Sequence, residues 1–240
     1  MSYEAELLAL AVIFYLYDSS VLLYSNEAIL FCDRAQRWSA TSGLIGFVLA
    51  GRSLCVLNPF TPNRPSFRLN WDFNTLESRA EDPSWSEGAG ELNKLAPFSL
   101  TSWIALYVFL PLGMFTDLGA YAVVPALVLL YGSILIALIQ LRRKKSLVPL
   151  GRRFWGIVFE CLACPPFGVN MVRHITLGAR ITEPLPLAAA RVLDAAGWAK
   201  LRDQCVSRVD EAIQVVAEDS MEHQALVEQK QRLSELISRV

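Results

Sequence analysis

Apolar residues run through this chain in long blocks, and between the blocks the period of the pattern changes. The cleanest block is 119–141: 23 residues without a charge, rich in Val, Leu and Ile, closed by Arg142, Arg143, Lys144 and Lys145. At about 1.5 Å per residue it reaches roughly 34 Å, enough for a ~30 Å hydrocarbon core with some tilt. Residues 95–116 are also free of charge, with Trp103 and Tyr107 near one end and Pro111 inside as a predicted kink. Only Asp117 and Leu118 separate the two blocks, which predicts a tight helical hairpin.

Two further blocks are interrupted. Residues 7–17 are apolar or aromatic, and a crossing there must continue through Asp18, Ser19 and Ser20 to Val21-Leu22-Leu23-Tyr24. An aspartate inside a span costs ~2.5–3.5 kcal/mol, while each Leu, Ile, Val or Phe gains ~0.3–0.6. The apolar neighbours offset Asp18 on that scale, so the pattern predicts a first span, with an interfacial helix as the alternative. Residues 154–177 are apolar at Phe154, Trp155, Ile157, Val158 and Phe159 but interrupted by Glu160, Pro165-Pro166, Asn170, Arg173 and His174. The double proline predicts an interfacial or re-entrant element rather than a straight fourth span.

Elsewhere the pattern belongs to water-side structure. Residues 66–73 alternate strictly, with Phe67, Leu69, Trp71 and Phe73 on one face and Arg68, Asn70 and Asp72 on the other, as in a half-buried strand. Upstream, the apolar runs 44–50 and 53–57 meet at Gly51-Arg52, a predicted hairpin turn. Together they predict a three-stranded antiparallel meander, followed over 75–94 by a polar, flexible linker. After Pro184 and Pro186 the period turns helical. A first helix is expected to stop at Gly197, a second carries Leu201, Cys205, Val209, Ile213 and Val216, and a third carries Leu226, Leu233, Leu236, Ile237 and Val240. The register slips around Asp219-Ser220, so two helices are expected rather than one coiled coil.

The expected fold is therefore a mainly α integral membrane protein: three transmembrane helices, a small cytoplasmic antiparallel β-meander and a C-terminal helical region. Its divisions are 1–31 (first transmembrane helix), 32–94 (meander and linker), 95–141 (hairpin), 142–180 (basic juxtamembrane or re-entrant segment) and 181–240 (helical tail).

Composition agrees with a bilayer and adds an orientation. Hydrophobic residues make up 53% of the 240, and charged residues 19%, against about 25% in an average soluble domain. Net charge is only −1, yet 142–180 holds eight basic residues against Glu160 alone, and 181–240 holds ten acids against seven bases. The 28–97 loop carries seven basic residues and the hairpin tip none. The positive-inside rule then places the N-terminus outside, with the 28–97 loop and the tail cytoplasmic. The acidic start of the chain is unlike a secretory leader, so the first apolar run is expected to be retained. Five scattered cysteines fit a reducing environment better than a disulfide framework.

Candidate chemistry is sparse. Cys161 and Cys164 have the spacing of a redox pair or half a zinc site, but only His174 is near enough in sequence to add a ligand, so small apolar packing residues are the expectation. Asp18 is an intramembrane polar candidate, read as a hydrogen-bonded packing residue because neither other span offers a basic partner. No nucleotide-binding, hydrolase or zinc-protease motif occurs, and no cofactor is expected. Arg142, Arg143, Lys144, Lys145, Arg152 and Arg153 lack interleaved aromatics, so anionic lipid suits them better than nucleic acid. The expected role is a non-catalytic accessory or scaffold subunit that binds other proteins or its own copies through the meander and tail, with Leu226, Leu233, Leu236, Ile237 and Val240 as the binding stripe. The alternatives are a small transporter or channel subunit using Asp18, or a thiol redox or metal protein using Cys161 and Cys164.

Overall fold

The structure, a computed structural model, describes residues 3–24, 26–43, 48–49, 52–62, 64–70, 84–143, 153–179, 181, 183–216 and 220–239, with side chains for all of these except 48, 49, 84, 153, 222, 229, 232, 233 and 235–239. The chain is mostly helical with a small antiparallel β component, and it forms two compact units. The first comprises 1–20, 57–65 and 87–179, the second 21–56, 66–86 and 180–240.

The first unit is built on a helical hairpin. One arm runs through α3 (Ala96–Ile104), a π turn (Ala105–Phe109) and α4 (Leu110–Phe115); the other is α5 (Ala120–Arg143). These arms, of 20 and 24 residues, are long and apolar enough to cross a membrane. Pro111 follows closely on the π turn. It lacks an N–H and its ring crowds the carbonyl four residues back, and the i→i+5 turn before it, in which Leu110 N donates to Ala105 O, absorbs both. The arms close on small and polar residues. Ser102 and Ser133 hydroxyls lie 2.7 Å apart across the buried interface. Gly113 brings the backbones together: a Cβ there would lie 2.9 Å from Val123 N.

α1 (Tyr3–Asp18) lies along this hairpin, with Tyr107 Oη donating to Ala11 O at 3.2 Å and the Tyr15 and Tyr107 rings 5.2 Å apart. The helix of the expected first span is shorter than the apolar pattern through Tyr24 suggested. The helix ends at Asp18 after 16 residues, about 24 Å, and the chain continues from Ser20 as a strand. Residues 153–177 form α6 (Arg153–Ala163), α7 (Pro165–Val169) and α8 (Met171–Leu177). The backbone leaves helical geometry at Cys164 (φ −132°, ψ 89°), in keeping with the bias of a residue before proline away from the helical region.

The second unit holds two three-stranded sheets. In one, β2 (Glu27–Cys32) is central between β3 (Trp38–Thr41) and β6 (Ser66–Asn70), with Leu30 opposite both Ala40 and Phe67. In the other, β5 (Arg52–Val56) lies between β1 (Ser20–Leu23) and β4 (Val48–Leu49). The meander is thus corrected: its hairpin exists, but the alternating strand pairs with β2 and not with β5. Leu49 faces Arg52, so Arg52 belongs to the strand and not to the turn. The 27–32 run is apolar at nearly every position and offered no alternation to read. Trp71, Asp72 and Phe73 lie outside the described residues.

Two other expectations change. The linker contains α2 (Ser84–Asn93), whose Trp85, Ala89 and Leu92 are buried at helical spacing among Ser, Glu and Gly. Gly197 does not stop a helix: α9 (Leu185–Val192) ends before it, and Asp194 caps α10 (Ala195–Val215) by accepting from Gly197 N at 2.7 Å. α11 (Met221–Arg239) packs along α10, where Lys230 Nζ lies 2.6 Å from Asp210 Oδ1.

The hairpin contact yields a paired test. Gly113→Ala forces a methyl against the Val123 backbone and should destabilise the detergent-solubilised chain by ~1–3 kcal/mol. At Gly132, in α5, an added Cβ meets nothing within 4 Å, so Gly132→Ala should leave the melting temperature unchanged or raise it. Equal melting temperatures for the two variants would contradict the close approach.

Candidate functional site

The densest polar chemistry in the first unit gathers where α1 ends. Arg173, on α8, is only 1% exposed. Its Nη2 donates to Asn58 O (3.1 Å) and Thr61 O (2.8 Å), and its Nη1 donates to Ser19 Oγ (3.2 Å). Asn170 Nδ2 donates to the same hydroxyl at 3.3 Å, and Ser19 O accepts from Leu57 N at 2.9 Å. Tyr15 Oη donates to Pro59 O, which fastens α1 to the same loop. The local reason is plain. Ser19 follows the last helical residue, so its hydroxyl and carbonyl are free to meet groups from outside α1.

Titratable groups extend this cluster outward. Asp18 Oδ1 lies 3.7 Å from His174 Nδ1, and Glu160 Oε2 lies 3.6 Å from His174 Nε2. Asp18 exposes 7% of its side chain, His174 44% and Glu160 51%, so a carboxylate–imidazole–carboxylate line runs from interior to surface. Asp18 Oδ2 and Asn170 Oδ1 are buried acceptors with no donor among the described residues. The expectation that Asp18 lacks a basic neighbour is corrected. The neighbour comes from α8, outside the hairpin arms that the sequence reading searched.

Of the other predicted residues, Cys161 and Cys164 lie beside this cluster, within electrostatic reach of Asp18, and the rest do not join it. Cys161 is buried on α6, and burial pushes its thiol up to about 12, the opposite of a reactive cysteine; Cys164, less buried, is also raised, mainly by burial. Arg142 and Arg143 are exposed in the last turn of α5, and Arg153 begins α6. Lys144, Lys145 and Arg152 lie outside the described residues. In the tail stripe Leu226 is half-buried on α11. Val240 and the side chains of Leu233, Leu236 and Ile237 lie outside the described residues.

A second buried polar group belongs to the other unit. Glu183, 2% exposed, accepts at Oε2 from Trp85 Nε1 and Arg191 Nη2, each at 2.8 Å. The Trp85 ring in turn sits 5.0 Å from Phe67 and 5.3 Å from Trp38. Sequence reading missed Arg173, Asn170, Ser19 and Glu183. For Arg173 a signal existed: a lone arginine among Met171, Val172 and Ile175 is an ionisable residue in an apolar helix, which by default is paired and purposeful.

Arg173→Met removes three hydrogen bonds and leaves the Asp18 carboxylate buried without that cation nearby, so it should destabilise the chain by ~3–5 kcal/mol. Adding Asp18→Asn should recover part of that loss, because the two substitutions act on one electrostatic cluster. Strictly additive losses in thermal unfolding would deny the coupling. No protein-family profile, curated protein or solved structure matches this chain.

Proposed function

We propose that this chain is a non-catalytic, multi-pass membrane protein that holds partner proteins at the bilayer surface through its β-containing second unit and helical tail. The observation that carries this reading is the outward face of α5. Ala126, Leu130, Ile134 and Leu141 are buried against the unit's own core, yet Tyr121, Val124, Val128 and Ile139 on the other side are 54–91% exposed. A helix apolar on both sides needs an apolar exterior, and lipid supplies one. The basic residues that follow at Arg142 and Arg143 put that end of the hairpin, with the 28–97 loop and the tail, on the cytoplasmic side. α1 joins the hairpin as a short third span with residue 2 outside. Its Leu7, Leu10, Ile13 and Phe14 face outward, and local bilayer thinning accommodates its length. The 153–177 segment then stays at the cytoplasmic interface or re-enters from it. The second unit has strands, capped helices and a charged tail of a kind suited to water, which supports a role in display rather than in conduction.

The Asp18–His174–Glu160 line favours a second reading, a small proton- or cation-handling subunit. The two separate in one preparation. Purified in mild detergent, a scaffold retains other proteins in fixed stoichiometry and loses them when 220–240 are deleted. A homo-oligomer whose proton flux in vesicles vanishes with Asp18→Asn would instead favour the second reading. For the membrane itself, alkaline carbonate should leave the chain in the membrane pellet, and cysteine accessibility should place residue 2 outside and residues 85 and 240 inside. Release by carbonate would end the membrane reading.

A further inference from the structure

α6 is apolar on both sides, on a smaller scale than α5. Phe154, Ile157 and Cys161 are buried, while Trp155 and Phe159, one turn apart, are 63% and 73% exposed. Two large exposed aromatics on one helical turn are costly in water, whereas an indole, with an apolar body and a polar N–H, is at home where headgroups meet acyl chains. The end of α5 supplies the matching charge. The guanidinium carbon of Arg142 lies 5.7 Å from the centre of the Trp155 ring and 6.0 Å from that of Phe154. Arg142 is exposed, and among the described residues its N–H groups have no hydrogen-bonded or ion-paired acceptor. The rings steady the guanidinium and leave its donor edge open.

The position of this edge along α5 identifies what it meets. From Tyr121, 91% exposed at the far end, to Arg142 the helix rises roughly 32 Å, close to the ~30 Å hydrocarbon thickness. An aromatic therefore marks each end of the apolar belt, and Arg142 stands at the level of lipid phosphates. Arg143 adds a second positive charge, and the sequence from 142 to 159 contains no acid. A planar guanidinium fork fits phosphate oxygens in two-point contact, which an ammonium group does not reproduce.

We propose that Arg142, backed by the rings of Phe154 and Trp155, binds the phosphate of an anionic phospholipid, with Trp155 and Phe159 seated in the headgroup–acyl boundary of that leaflet. This rests on the membrane reading above and adds to it a defined lipid site.

The test titrates the full chain, in mild detergent micelles, with phosphatidylglycerol or phosphatidylcholine and follows bound lipid by native mass spectrometry. Wild type should prefer phosphatidylglycerol. Arg142→Gln should weaken it at least about fivefold, the effect of one basic residue at the surface. Arg142→Lys keeps the charge at an exposed position, so its fold is not in question, and it should still bind several-fold more weakly. Arg143→Gln should cost less than Arg142→Gln. Wild-type binding by Arg142→Lys, equal losses at 142 and 143, or equal binding of the two lipids would each reduce the site to diffuse charge and overturn the proposal. A chain that resists carbonate yet fails this test sinks only the lipid site; a chain released by carbonate sinks the membrane reading beneath it.

Discussion

A guanidinium 1% exposed to solvent dictates much of what surrounds it. Removing such a charge from water costs several kcal/mol even after relaxation, and only good geometry with many acceptors offsets that. Arg173 meets the demand with two backbone carbonyls, of Asn58 and Thr61, and the Ser19 hydroxyl. These acceptors constrain two separate stretches of chain. The 57–62 loop must come in with its carbonyls turned toward α8, and α1 must stop in time for Ser19 to turn its side chain the same way. Asp18, one residue earlier, brings the opposite charge to the same place. α1 is short because its end is needed here.

The two units pack in different ways. In the first, buried polar groups gather around Arg173 or pair inside the hairpin, as Ser102 and Ser133 do, and the exposed middle of α5 is apolar at Val124, Val128, Leu135 and Ile139. Packing there depends on close approach, and small residues provide it: Gly113 against Val123, and Gly168 against Ile134, where a Cβ would come within 2.6 Å of Cδ1. That is how helices associate when the outside is as apolar as the inside. In the second unit the usual aqueous logic holds. Phe67 and Leu69 are buried, Arg68 between them pairs with Glu27, and helices begin at capping residues such as Asp194. One chain thus carries two packing grammars, and this supports the proposal that one unit meets lipid and the other water.

Sequence reading recovered what repeats and lost what depends on a distant partner. Long uncharged runs located both hairpin arms, and alternation located the strand that holds Phe67 and Leu69. The pairing of that strand with 27–32 was hidden because a run such as Ala-Ile-Leu-Phe has no polar face to set its register. α2 was hidden by Ser, Glu and Gly, although Trp85, Ala89 and Leu92 kept helical spacing. The polar cluster was least legible. Ser19 and Arg173 are 154 positions apart, and nothing local in either predicts the other. Asp18 was visible as an anomaly; what resolved it was not. The charge arithmetic for Asp18 weighed only its apolar neighbours, whereas the fold balances it by ending the helix and bringing a cation alongside.

The formal charges of the cluster also bear on its outer end. Arg173 and Asp18 sum to zero, and the outer pair, His174 and Glu160, sums to zero only when the imidazole is protonated. With His174 neutral, the four groups together carry −1, and the excess sits at half-exposed Glu160, where solvent screens it. With His174 charged, the ring stands between two carboxylates within 3.6–3.7 Å and draws α1, α6 and α8 together. Arg173 is held by two backbone carbonyls and a hydroxyl that belong to the fold itself, and acceptors of that kind fit a structural role, which is why the display reading stands ahead of proton handling.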